Sequence, residues 1–245
     1  MFPRCMDFVL VKLSGLLMIS RIFIVLVGAL LGVLPASALS YQLADADLPN
    51  CKGNCPKVVV ATGTISQNEH VQLAAFLDRS MKSDRVGQVL VIDSPGGFTL
   101  GGAYMGTLLR RMKMTVIVGR WTGGAITTQS GLRAGTCASA CVLVLSGGAS
   151  RYFVNGSRVG VHRSHTGPVV LDPLTREAVN ATVDHDNVKE AYASFFKLMG
   201  IDQGLASKMD ATPSESMYWL SSQEMAKFRL AIDTSARSNT KKKRQ

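Results

Sequence analysis

The chain has 245 residues, 47% of them hydrophobic, and a formal charge of +10 from 27 basic and 17 acidic side chains. That is enough apolar material for one substantial core and too much for a disordered chain. Part of the positive charge lies at the ends, in Arg4, Lys12 and Arg21 and in the run Lys241–Arg244. The body between is only mildly basic and has no basic stripe interleaved with aromatics, which argues against nucleic acid as a partner. It also has no Gly-x4-Gly-Lys loop, so no nucleotide is expected.

Residues 1–38 read as a signal peptide. The apolar run Ile22–Leu34 follows Arg21 and precedes Ala36-Ser37-Ala38, the small-x-small pattern cut by signal peptidases. A start at Met18 makes a tidier leader. Export to an oxidising compartment, the periplasm, is therefore expected. The alternative is an uncleaved N-terminal anchor, the one membrane contact expected of this chain. Beyond the leader the chain keeps Cys51, Cys55, Cys137 and Cys141, an even number that suits two disulfides. Three pairings are open, and two local Cys-x-x-x-Cys bridges are expected. No metal is expected, because neither pair has zinc-knuckle spacing or a histidine nearby.

Residues 39–56 read as an irregular arm pinned by Cys51 and Cys55. Lys57–Ala61 is a buried strand. Ser66-Gln67-Asn68-Glu69 matches a capping box, predicting a helix with Val71, Ala74, Ala75 and Leu77 on its apolar face. Val89–Ile92 is a second strand, ending at Asp93-Ser94-Pro95-Gly96-Gly97. A helix from about Leu100 to Met112 and the strand Thr115–Val118 follow. This alternation predicts a parallel-sheet α/β domain. Residues 120–136 read as a loop, Ala138–Leu145 as a buried helix, and 151–154 and 158–161 as short strands around a turn at Asn155-Gly156. Helices are expected over 176–199, 202–210 and 221–228, then a disordered basic tail over 234–245.

Three places can carry chemistry. The Pro95-Gly96-Gly97 turn can expose backbone N–H groups to an oxyanion. Ser139 lies among small residues where a loop enters an apolar helix. His162 closes a buried strand and can serve as general base to a serine. Each has a plain structural reading: a tight turn, a helix cap and a core histidine.

Their order resembles that of the Clp proteolytic subunit, within the Clp-protease/crotonase superfamily. The likeness runs through Ser94-Pro-Gly-Gly, Cys137-Ala-Ser-Ala-Cys, Asn155–His162 and Trp219–Glu224, over about residues 57–233. It implies a spiral of repeated β-β-α units with a C-terminal helical part. It also implies an exported serine hydrolase, a peptidase acting on peptide or unfolded protein without a cofactor. Ser139 would be the nucleophile and His162 the base, with the N–H groups of Gly97 (or Gly96) and Ala140 as oxyanion donors. The family's aspartate has no counterpart at Ser216–Trp219. The nearest carboxylates are Glu215 and Asp210, so Glu215 substitutes, or the pair is a dyad, or catalysis is lost and the chain is a scaffold. His165 is a second candidate base. A signal-peptide-peptidase-A-like Ser–Lys enzyme is the further alternative, though no lysine is marked by its context. The resemblance also implies a homo-oligomer, with the 176–199 helix making subunit contacts.

Overall fold

The computed structural model describes residues 38–47, 51, 54–127, 130–164, 170–171, 178–179 and 185–235. Residues 1–37 of the expected leader, 236–245 of the expected tail, His165 and most of 165–184 lie outside the described residues. The strands are β1 (Ser40–Ala44), β2 (Lys57–Thr62), β3 (Val86–Asp93), β4 (Thr115–Val118), β5 (Arg120–Trp121), β6 (Leu132–Arg133), β7 (Thr136–Ala138), β8 (Ser150–Phe153), β9 (Arg158–Val161), β10 (Val170–Leu171), β11 (Ala178–Val179), β12 (Tyr218–Trp219) and β13 (Ile232–Asp233). The helices are α1 (Glu69–Ser80), α2 (Thr99–Arg111), α3 (Cys141–Gly147), α4 (His185–Leu198), α5 (Gly204–Asp210) and α6 (Ser222–Lys227).

β2, β3 and β4 are rich in Val and Ile, and their central residues are largely buried, which is what a sheet covered on both faces requires. They pair in parallel in the order β2-β3-β4-β8-β13, and β1 closes the edge antiparallel to β2. The arm expected over 39–56 thus contributes a sheet strand. A smaller sheet runs β7-β9-β12, with β7 and β9 parallel, and Ser94 bridges Cys137 in parallel beside it. The order Ser94, β7, β9 in the small sheet repeats the order β3, β4, β8 in the large one. β3, β4 and β8 therefore each lead into a small-sheet segment and then a helix, the repeated β-β-α path expected above. The chain is a mixed α/β protein built around a central parallel sheet.

Several expectations are corrected. The 120–136 loop contains the β5–β6 pair and the start of β7. The two short strands either side of Asn155-Gly156 are present as expected, and they belong to different sheets, because β8 pairs with β4 and β9 with β7. Residues 178–179 are a strand, and the helix expected from 176 is seen from His185. The apolar face of α1 is also different: Leu73 and Leu77 are buried, while Val71 is 55% exposed. The larger leucines, four residues apart, bury more area than the alanines and win the core. The capping box is half made. Glu69 accepts from the Ser66 N–H at 2.8 Å, but the helix begins at Glu69 with Asn68 as N-cap.

Backbone contact between α2 and α3 sets the depth of α3. A Cβ on Gly102 would lie 2.4 Å from the Ala140 carbonyl oxygen, and one on Gly106 would lie 2.4 Å from that of Leu143. From the other side, a Cβ on Gly147 would meet the Gly106 carbonyl oxygen at 2.0 Å. Only hydrogen fits at these crossings, so every residue of α3 is buried. Gly106→Ala is expected to force the helices apart and cost about 1–3 kcal/mol, read as a lower urea midpoint with cooperative unfolding retained.

Candidate active site

The turn bearing Ser139 is held from both sides. Asp93 is nearly buried at the end of β3, and its Oδ1 accepts from the Thr136 N–H at 2.7 Å. Its Oδ2 accepts from Arg120 Nε at 2.6 Å, which raises the arginine's pKa. This pairing lays β7 alongside Ser94, where the Ser94 N–H donates to Thr136 and the Ala138 N–H donates to Ser94. The chain then reverses at Ser139, which adopts a left-handed conformation with φ of 55°. For a residue with a Cβ that geometry costs about 1–2 kcal/mol. It is retained here because the Ser139 N–H donates to the Gly160 carbonyl at 2.9 Å while α3 starts at Cys141. Ser139 is thus in the turn between β7 and α3, and the helix expected from Ala138 begins three residues later. Both expected disulfides are present, Cys51–Cys55 and Cys137–Cys141, and the second spans this turn.

Ser139 Oγ and His162 Nε2 are 2.8 Å apart. The other ring nitrogen, Nδ1, is 2.9 Å from the backbone carbonyl of Ser214. A carbonyl can only accept, so Nδ1 carries the proton and Nε2 presents a lone pair to the serine hydroxyl. The Ser214 carbonyl was not expected from the sequence. No side-chain signal marks it, because the group involved is main chain. Its position follows from the descent of the chain after α5, where the Arg163 N–H also donates to Thr212 at 3.0 Å. Glu215, one of the two expected carboxylates, is exposed and accepts from the Ser214 hydroxyl at 3.0 Å. Asp210 ends α5. The group at hydrogen-bond distance from Nδ1 is thus a carbonyl of the neighbouring residue.

The Pro-Gly-Gly turn lies against the serine. Gly96 has φ of 104°, and a Cβ there would meet Ala138 O at 2.5 Å and Ser139 Cβ at 2.8 Å. Its N–H is already used, donating to Ser94 Oγ at 3.1 Å. Gly97 differs. Ile65 donates to Gly96 O and accepts from Phe98 N–H, a parallel bridge that leaves the Gly97 N–H facing away from Ile65. Among the described residues neither Gly97 N–H nor Ala140 N–H has a hydrogen-bond partner. Of the two glycines expected as donors, Gly97 is therefore the one whose N–H is open, and Gly96 makes the close approach possible. Ile65 is steadied by its neighbour Ser66, whose N–H and hydroxyl both donate to the fully buried Glu69 carboxylate. Tyr41 supplies a third donor at 2.6 Å, and burial together with that carboxylate raises the phenol's pKa.

A small recess beside the Ser–His pair is lined by Leu143 and Met209 and by the hydroxyl-bearing Thr99, Ser164 and Tyr192. Ser164 Oγ bonds to the Tyr192 hydroxyl and lies 3.5 Å from Thr99 Oγ1. Among the described residues no lysine lines this recess, and the base at hydrogen-bond distance from Ser139 is the His162 imidazole. Among the described residues no group of three or more His, Cys, Asp or Glu could hold a metal.

The strand beside His162 is anchored at its far end by a capping box. β12 pairs with β9, and α6 follows with Ser221 as its N-cap. Glu224 accepts from the Ser221 N–H at 3.0 Å and from the Tyr218 hydroxyl at 2.8 Å, with Lys208 at 3.3 Å. The Ser221 backbone bond is the largest cause lowering this carboxyl from 4.5 to about 2. Because the folded value lies below the unfolded one, the stabilisation is present above pH 4.5 and lost as pH falls toward about 2. Glu224→Gln is expected to flatten the fall in urea midpoint across that acid window, leaving other acid-sensitive groups to account for the remainder.

No protein-family profile matches the sequence, and no curated protein is similar to it. Among solved structures the chain is similar to the 1510-N membrane-bound stomatin-specific protease in a serine-to-alanine mutant form, with a TM-score of 0.44, 14% identity, and 71% of this chain and 76% of that chain covered. A lysine-to-alanine mutant of that protease in complex with a substrate peptide gives a TM-score of 0.44 and 14% identity, covering 71% of this chain and 72% of that chain.

Proposed function

We propose that this chain is an exported serine hydrolase, a peptidase whose nucleophile is Ser139 and whose general base is His162. The observation that carries this reading is the 2.8 Å approach of His162 Nε2 to a serine hydroxyl held in a left-handed turn. The open N–H groups of Gly97 and Ala140 on the adjoining turns support it. Export is supported by the two disulfides and by the leader-like N-terminal sequence. Among the described residues no helix is long and apolar enough to cross a membrane.

The chemistry follows from the tautomer. Ser139 Oγ attacks the substrate carbonyl carbon as Nε2 takes the hydroxyl proton, and the oxyanion accepts from Gly97 and Ala140 N–H. His162 then returns that proton to the leaving nitrogen as the C–N bond breaks. Water, activated by the same imidazole, hydrolyses the acyl-enzyme. The imidazolium formed on the way keeps its Nδ1–H on the Ser214 carbonyl. The carbonyl keeps the ring oriented, and as a neutral dipole it contributes less to stabilising that cation than a carboxylate in the same place would. A peptide or unfolded segment is the substrate that reaches such a half-buried serine without an unfolding motor.

Two experiments test this. The purified chain should react covalently with a fluorophosphonate probe, and Ser139→Ala should abolish the reaction while His162→Ala slows it at least 100-fold. Failure of the folded, oxidised chain to label would exclude a reactive serine and favour a non-catalytic scaffold. The second concerns the third member of the site. Glu215→Gln and Asp210→Asn should each change the labelling rate by less than about threefold. Loss of a true triad carboxylate costs about 10⁴-fold, and a fall of that size in either variant would assign the orienting role to it.

A further inference from the structure

Ser139 is held in a conformation that its own side chain disfavours, and the residues immediately around it do not supply that preference. Ala138, Ser139 and Ala140 are small residues compatible with helix, directly ahead of the helix that starts at Cys141. Left to local preference, this stretch would run α3 backwards by most of a turn. Ser139 would then turn away from Nε2, and the Ala140 N–H, one of the first four in the lengthened helix and so still unbonded within it, would be turned out of its present direction. Besides the Ser139 N–H bond to the Gly160 carbonyl, what stands against this is a covalent tie across just those three residues, the disulfide between Cys137 in β7 and Cys141 at the first position of α3. Cys137 and Cys141 are both fully buried, with 0% exposure, so the tie is set in the core and not on the surface. Cys137 is also the residue bridged to Ser94, which places the same bond between the serine turn and the Pro-Gly-Gly turn.

We propose that the Cys137–Cys141 disulfide is a positioning element of the site, holding Ser139 left-handed and the Ala140 N–H in its present direction, so that the serine becomes reactive only when the bridge has formed. This rests on the proposed function above and names the condition on which that activity depends. Cys51–Cys55 lies ahead of β2, borders none of the recess residues and has no such part.

The test uses the full chain and a fluorophosphonate probe. Cys137→Ala/Cys141→Ala should label at least tenfold more slowly, with the loss in the maximal rate and not in the probe concentration at half-saturation. Its thermal unfolding should stay cooperative, and Cys51→Ala/Cys55→Ala should label within twofold of the parent. A Cys137→Ala/Cys141→Ala chain that labels within twofold of the parent would overturn the proposal. Should that double variant not fold, the same question is put to Cys5→Ala/Cys51→Ala/Cys55→Ala prepared as the dithiol and then oxidised by glutathione disulfide. The two thiols lose two electrons and two protons, the Cys137–Cys141 bond forms, and two glutathione thiols are released. Labelling that returns in step with loss of protein thiols supports the proposal, and full labelling of the dithiol form sinks it. An oxidised parent that never labels fails the functional reading itself and takes this one with it, a result distinct from a reactive parent whose cysteines do not matter.

Discussion

The serine hydroxyl that meets an imidazole nitrogen in this protein stands where two turns from different β-β-α units pack with no side chain between them. The Gly96 backbone lies against Ala138 and Ser139 at a distance that leaves no space for a methyl group. Behind it, Gly102 and Gly106 let α3 approach α2 until carbonyl oxygens take the space where Cβ atoms would otherwise stand. This contact sets the depth of α3, which in turn sets the start of α3 and so the turn that carries Ser139. The glycines cost chain entropy, and the close packing offsets it through dispersion contacts made along the whole of a buried helix.

Polar groups fix what packing alone leaves adjustable. Asp93 spans from β3 to the start of β7 with one oxygen on a backbone N–H and the other on Arg120, registering the small sheet against the large one. Glu69 does the same for the Ile65–Ser66 turn, and the bridge from Ile65 uses the neighbours of Gly97 while sparing its N–H. Both carboxylates are buried, and each is satisfied by two or more donors, the condition under which a buried charge is tolerated. They stand outside the chemistry, yet the geometry of the donors depends on them.

The histidine is oriented by a main-chain dipole. The Ser214 carbonyl selects the tautomer as firmly as a carboxylate would, since both are acceptors only, but it brings no full charge to balance the imidazolium. This separates two roles that a triad aspartate combines. The carbonyl supplies the orientation without supplying a full charge.

Much of this was legible in the chain itself. The strands β2, β3 and β4 follow from runs of branched apolar residues, and the Ser-Pro-Gly-Gly turn, Ser139 and His162 from residue type and place. Local cysteine spacing suited the bridges Cys51–Cys55 and Cys137–Cys141, although three pairings were open. Other features depend on partners distant in sequence. The left-handed φ of Ser139 contradicts the helical preference of Ala138–Ala140 and comes from anchors at Gly160 and Cys141. The split of β8 and β9 between two sheets is decided by β4 and β7, not by the turn between them. The buried face of α1 was misjudged because alanines count as apolar in a pattern yet bury little area. Ser214 could not be found by side-chain chemistry, because its contribution is a carbonyl brought to His162 by the path of the chain after α5. Sequence alone determined the strand–helix alternation, since this rests on local composition, and it offered Ser139 and His162 as candidates through the order of motifs they share with the Clp proteolytic subunit. The tertiary structure decided which groups meet, because hydrogen-bond geometry between residues 23 and 52 positions apart is set by packing and not by neighbours in the chain.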